Sequence, residues 1–110
     1  MLFLSKLRID APHLSVDEFW DVWADGSEIA ERSGGDGGVV KAIYKVAGQR
    51  KVVVINEVSN HDDLDRIMMT AHLSQLMTVE EMLPLREYAS FASDLQSRWS
   101  VVPKGVYVPE

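Results

Sequence analysis

The sequence contains no cysteine. Disulfide scaffolds, thiolate metal sites, iron–sulfur clusters and cysteine nucleophiles are therefore excluded together. Aromatic residues make up only 8% of the chain, and three of them, Phe19, Trp20 and Trp23, crowd one short stretch. Positive charge is the minority, with 11 Lys and Arg against 17 Asp and Glu, a formal −6. An acidic domain repels phosphate, so nucleic acid is not expected as a partner. No run approaches the roughly 20 apolar residues that cross a bilayer. The opening Met1-Leu2-Phe3-Leu4 is broken by Ser5, Lys6 and Arg8 before the apolar stretch of a signal peptide can form. No membrane partner is expected, and the default location is the cytoplasm.

What remains is 110 residues, 46% hydrophobic and 25% charged, enough for one globular domain. Leu2–Ile9 reads as a half-buried strand, with Phe3, Leu7 and Ile9 on one face and Lys6, Arg8 and Asp10 on the other. Pro12 ends it. Ser15 followed by Glu18 is a capping box, and Val16, Phe19, Trp20, Trp23, Ser27 and Ala30 then recur at helical spacing. Gly26 inside that pattern costs about 1 kcal/mol against Ala, a local inconsistency of the kind found at functional or strained places. The glycine-rich run Ser33–Gly38 stops the helix. It precedes a strand and lacks a following Lys-Ser/Thr, so it is no phosphate cradle.

Val39–Val46 and Lys51–Val58 read as two strands joined by a short glycine-containing hairpin, the second apolar on both faces at Val52–Ile55. Ser59 and Asp62 open a second helix carrying Leu64, Ile67, Met68 and Ala71 on one side. Met77–Leu83 reads as a fourth strand ending near Pro84, with one of Glu80 and Glu81 facing inward and the other outward. Tyr88, Phe91, Leu95 and Trp99 suggest a third helix, followed by an extended tail over 101–110. The order βαββαβ defines an α+β, ferredoxin-like unit over residues 1–100, with two helices on one sheet face. The other face stays apolar and needs a cover. A homodimer or higher homo-oligomer is expected, built sheet to sheet as a dimeric α+β barrel, with the tail latched onto a neighbour.

Met1-Leu2-Phe3, the proline after the first strand, the Val46-Ala47-Gly48 hairpin and the Asp-rich second helix leading to Met77 resemble muconolactone isomerases from about Met1 to Leu85. The resemblance implies a ferredoxin-like subunit in a larger homo-oligomer. It also implies proton transfer within an unsaturated lactone, without metal or organic cofactor, in a pocket near a subunit interface. Against the family pattern, Lys41 and Lys45 stand where arginines are usual and Tyr44 where a tryptophan is. Gly26-Ser27 replaces an acid–lysine pair on the first helix, and His72 replaces a proline. Glycine supplies no base, so the acid–base groups must lie elsewhere.

Three histidines are present, His13, His61 and His72, at spacings that disfavour a zinc site. His72, at the end of the second helix, can exchange a proton near pH 7, or it can simply cap the helix. Tyr44 can anchor an oxyanion, although a strand aromatic is more often core. Asn56 and Glu57 interrupt an apolar strand, and burying such groups unpaired costs on the order of 1–3 kcal/mol. Glu57 is either the ion-pair partner of a lysine or a base of raised pKa. Asp25 and Lys41 complete the catalytic candidates. Phe19, Trp20 and Trp23 could wall an aromatic substrate or pack the core, and Met68 could line a cavity or fill one. The leading expectation is a cofactor-independent isomerase or cyclase acting on a small unsaturated, carbonyl-bearing lactone, phenol or polyketide-like molecule. Its rivals are a cofactor-free monooxygenase of the antibiotic-biosynthesis type and a non-catalytic binding or assembly subunit.

Overall fold

A computed structural model describes residues 1–34, 38–70, 76–99 and 105. The elements run β1 (Leu2–Ile9), α1 (Val16–Arg32), β2 (Val40–Lys45), β3 (Lys51–Glu57), α2 (His61–Thr70), β4 (Met77–Leu85) and α3 (Tyr88–Ser97). The strands form one sheet in the order β2-β3-β1-β4, every neighbouring pair antiparallel. This is the ferredoxin-like α+β arrangement that the element order predicts.

Strand alternation decides what is covered. Phe3, Ser5, Leu7 and Ile9 of β1 and Val52, Val54 and Asn56 of β3 are buried on one face. Leu2, Leu4, Val53 and Ile55, on the opposite face, are only half-buried. The all-apolar run of β3 is thus covered by its own chain on one side, not on both. The core falls into two clusters. Leu7, Ile9, Ala11, Phe19, Val52 and Val54 pack with Val22 and Trp23 of α1, whereas Phe3, Val58 and Leu64 pack with Ile67 and Met68 of α2 and Met82.

Helix α1 starts on the capping box, in which the Glu18 backbone N–H donates to the Ser15 hydroxyl and the Ser15 N–H to the Glu18 carboxylate, each at 3.2 Å. Of the expected stripe, Phe19, Trp23 and Ala30 face inward, joined by Gly26, whereas Val16 and Trp20 do not. Val16 and Trp20 are 53% and 61% exposed. The reason is rotation about the axis: a seventeen-residue helix on a small sheet buries a narrow face, and spacing alone does not select which of two adjacent apolar rows wins. The hairpin between β2 and β3 turns at Gly48, whose φ of 79° suits a residue without Cβ.

Two ladder irregularities re-aim side chains. Between Val40 and Ala42 the register shifts and leaves Lys41 as an extra residue; between Lys6 and Leu7 a second shift does the same for Glu80. That bulge overturns the expected division of Glu80 and Glu81 between the two faces. Both are exposed: Glu81 lies opposite Lys6, and the Glu80 carboxylate reaches Lys51 Nζ at 3.0 Å. Strand β4 also runs through Pro84, two residues past its expected end, because as an edge strand it tolerates a residue with no N–H.

Helix α3 joins neither core cluster. Its aromatics meet each other edge to face, Tyr88 on Phe91 and Phe91 on Trp99, and Arg86 pairs with Asp94. The Cα radius of gyration is 18.0 Å, well beyond the roughly 13 Å of a compact chain this long. The expected tail over 101–110 lies outside the described residues except for Gly105.

Candidate functional site

A cavity of about 310 Å³ lies between the helix-facing side of the sheet and the two covering helices. Its floor is Leu7, Ile9, Val52, Val54 and Asn56, and α1 contributes Trp23, Gly26, Ser27 and Ala30. Ile67, Met68 and Thr70 of α2 close the other side. Gly26, the residue out of keeping with a helix interior, is buried and sits in this wall. Among the described lining residues none carries a charge, and the polar groups differ in how they are engaged. The Thr70 hydroxyl donates to the Arg66 carbonyl at 2.6 Å and the Ser33 hydroxyl to the Ile29 carbonyl at 2.9 Å. Asn56, 3% exposed, is the one buried polar side chain of the floor. The cavity therefore offers a largely apolar, partly open hollow with a buried carboxamide at its base.

A second, polar depression of about 510 Å³ adjoins it through Val39 and Ile67. Here the structure brings together Lys41, Glu57, Asp63 and Arg66. Arg66 is paired with Asp63 at 2.9 Å, and Glu57 lies 3.7 Å from the Met1 amino group. The bulge at Lys41 turns that lysine out of the strand ladder and toward this depression.

The sequence-derived candidates are thus dispersed. Trp23, Met68 and Asn56 share the apolar cavity, and Phe19 lies in the core beside it, packed edge to face on Trp23. Trp20 is exposed and not part of the lining. Tyr44 is 63% exposed on the open sheet face, paired with Val53, so it points away from the cavity. Asp25 is exposed on α1 next to Gly26, while Glu57 and Lys41 belong to the polar depression. His72 lies outside the described residues; Thr70, two positions before it, lines the cavity. Ser27, Ile67 and Thr70 are lining residues outside the expected site set. The sequence places Ser27 and Ile67 on the apolar stripes of their helices, and Ser27 with Gly26 where the family has an acid–lysine pair, whereas nothing in it marks Thr70.

A family model described as muconolactone delta-isomerase matches residues 1–91. No curated protein matches the chain. Among solved structures, the crystal structure of muconolactone isomerase at 3.3 Å resolution matches with a TM-score of 0.66 at 19% identity, covering 100% of this chain and 99% of that one. A structural-genomics protein, YJCS, matches with a TM-score of 0.46 at 14% identity over 77% of this chain and 97% of that one. At such identities the likeness to muconolactone isomerase speaks for the fold, while the family match spans most of the sequence. With the sheet order, the covering helices and that match in agreement, the chain belongs to the muconolactone delta-isomerase family.

Proposed function

We propose that this protein is a cofactor-independent isomerase or cyclase that moves a proton within a small unsaturated, carbonyl-bearing molecule held in the apolar cavity. The observation that carries the reading is the buried Asn56 carboxamide at the base of a largely apolar 310 Å³ cavity, in a chain of an isomerase family. In the proposed step the neutral imidazole of His72 takes a proton from a carbon made acidic by conjugation to the carbonyl. Negative charge moves to the carbonyl oxygen, where the Asn56 N–H donates to it, and the imidazolium returns the proton to a different carbon of the conjugated system. The double bond shifts and no atom is gained or lost. Preorganised donors in a dry site favour the enolate, and a positioned general base typically contributes 10²–10⁴-fold. Tyr44, Glu57, Asp25 and Lys41 lie away from this cavity within the chain and act only if a neighbouring copy places them against it.

The test is incubation with muconolactone and neutral unsaturated lactones in D₂O, followed by NMR for double-bond migration and deuterium incorporation. Turnover that falls at least a hundredfold in His72→Ala supports the reading, and no exchange with any lactone rejects it. The assembly proposed is a homodimer or larger homo-oligomer, with residues 1–100 as the folded unit and the tail from residue 101 laid on a neighbour. The half-covered Leu2, Leu4, Val53 and Ile55 and the exposed Tyr44 and Leu83 support it, since together they make an apolar sheet face. The replaced acid–lysine pair at Gly26-Ser27 favours a second reading, a non-catalytic small-molecule carrier. It predicts binding without deuterium exchange.

A further inference from the structure

Two buried polar residues interrupt an otherwise apolar sheet face. On β1, Ser5 lies between Phe3 and Leu7; on β3, Asn56 lies between Val54 and Val58. The ladder sets Ser5 opposite Val54 and Phe3 opposite Asn56. The two polar side chains are therefore diagonal neighbours on the helix-facing side, with Cβ atoms roughly 7–8 Å apart or less. They stand where the cluster under α1 gives way to the cluster under α2, and the cavity opens there with Asn56 in its floor. Ser5 is 0% exposed and its hydroxyl has no hydrogen-bond partner among the described residues. A buried hydroxyl left unpaired destabilises the fold, and alanine in its place would not. Ser5 does not itself line the cavity, but a group held at that cost behind the lining residue Asn56 belongs to something other than packing.

Resting on the reading of the cavity as a substrate site, we infer that Ser5 and Asn56 form a neutral seam that selects uncharged ligands by a carbonyl or hydroxyl oxygen. Asn56 touches that oxygen through its carboxamide. Ser5 is a positioning residue: its hydroxyl takes up a hydrogen bond with the carboxamide once that side chain turns onto the ligand. A carboxylate set on the same floor would meet only neutral dipoles and hydrocarbon from the described lining, and burial without a counter-charge strongly disfavours it. The seam therefore prefers an esterified or unsubstituted lactone, enone or phenol over a free acid.

Calorimetric titration of the full chain with muconolactone and with its methyl ester tests this, because the two probes share one ring and differ in charge. The ester is expected to bind at least tenfold more tightly than the acid. Asn56→Leu should weaken ester binding at least tenfold, and Ser5→Ala three- to tenfold while its melting temperature holds or rises. The double variant should lose little beyond Asn56→Leu alone, since the pair acts as a unit. If Asn56→Leu does not fold, Ser5→Ala decides alone. Equal or tighter binding of the acid, ester affinity unchanged in Ser5→Ala, or no heat with the ester overturns the inference. Deuterium exchange separates it from the reading it rests on. Seam-dependent binding without exchange upholds the seam and rejects the isomerase, whereas exchange with ester affinity indifferent to Ser5→Ala does the reverse.

Discussion

Gly26 contributes nothing to helix stability and sits in the cavity wall, so its lack of a side chain is itself a site property. Gly26→Leu should place a branched side chain in that space. Turnover or probe affinity is expected to fall at least tenfold while the helical circular-dichroism signal is kept. Glu80 is a residue of a different kind. A hydrogen bond from Lys51, opposed by desolvation and aided by the charges of Lys51, Lys6 and Arg8, holds its carboxyl below the usual glutamate range. A carboxyl whose pKa is lowered by folding stabilises the fold above its unfolded value, and that contribution is lost as pH falls through the folded value. Glu80→Gln should therefore melt below the parent protein at neutral pH. The gap should close as the buffer is acidified below the usual glutamate range, and thermal melts across pH 7 to 2 check this.

At the scale of the element, the capping box of α1 is the clearest local determinant. Ser15→Ala removes the acceptor for the Glu18 N–H and should cost about 1 kcal/mol, seen as a melting temperature lower by roughly 4–8 °C. Helix α3 poses the opposite problem. A ten-residue helix is marginal alone in water, and this one keeps Tyr88, Leu95 and Trp99 exposed and shares no core with the sheet. Such an element is stable when its apolar side meets something. Replacing Tyr88, Phe91 and Leu95 together by serine should leave the β-sheet signal intact, reduce helical signal and lower the mass of the oligomer proposed above. Light scattering after size exclusion, run beside circular dichroism, reads all three.

For the whole molecule, the deciding feature is a sheet whose two packed helices, α1 and α2, cover the same face. Leu4 and Ile55 are central on the open face, from β1 and β3 in direct register. Ile55→Asp puts a charge into the middle of that apolar face, diagonal to Lys6, without touching either core cluster. The variant is expected to run as a single chain by light scattering. If a neighbour completes the site, its turnover falls with its mass; if the cavity is sufficient within one chain, turnover survives dissociation.

Most of the architecture was legible because it rests on local regularities. The alternation Phe3, Leu7, Ile9 set the buried face of β1, Ser15 with Glu18 set the start of α1, and Gly48 set the hairpin. The site was legible only in part. Trp23, Met68 and Asn56 do meet at the cavity, but Tyr44 falls on the opposite face of the sheet because strand side chains alternate. Trp20 falls outside because α1 is turned one row further than its apolar spacing suggests. Periodicity along the chain determined which elements form and which side of each strand is apolar, because those follow from backbone geometry within a few residues. Only the tertiary structure decided how the helices rotate on the sheet, where two bulges re-aim Lys41 and Glu80, and that a hollow remains over Asn56. Those depend on how distant side chains fill a shared volume, which no local spacing encodes.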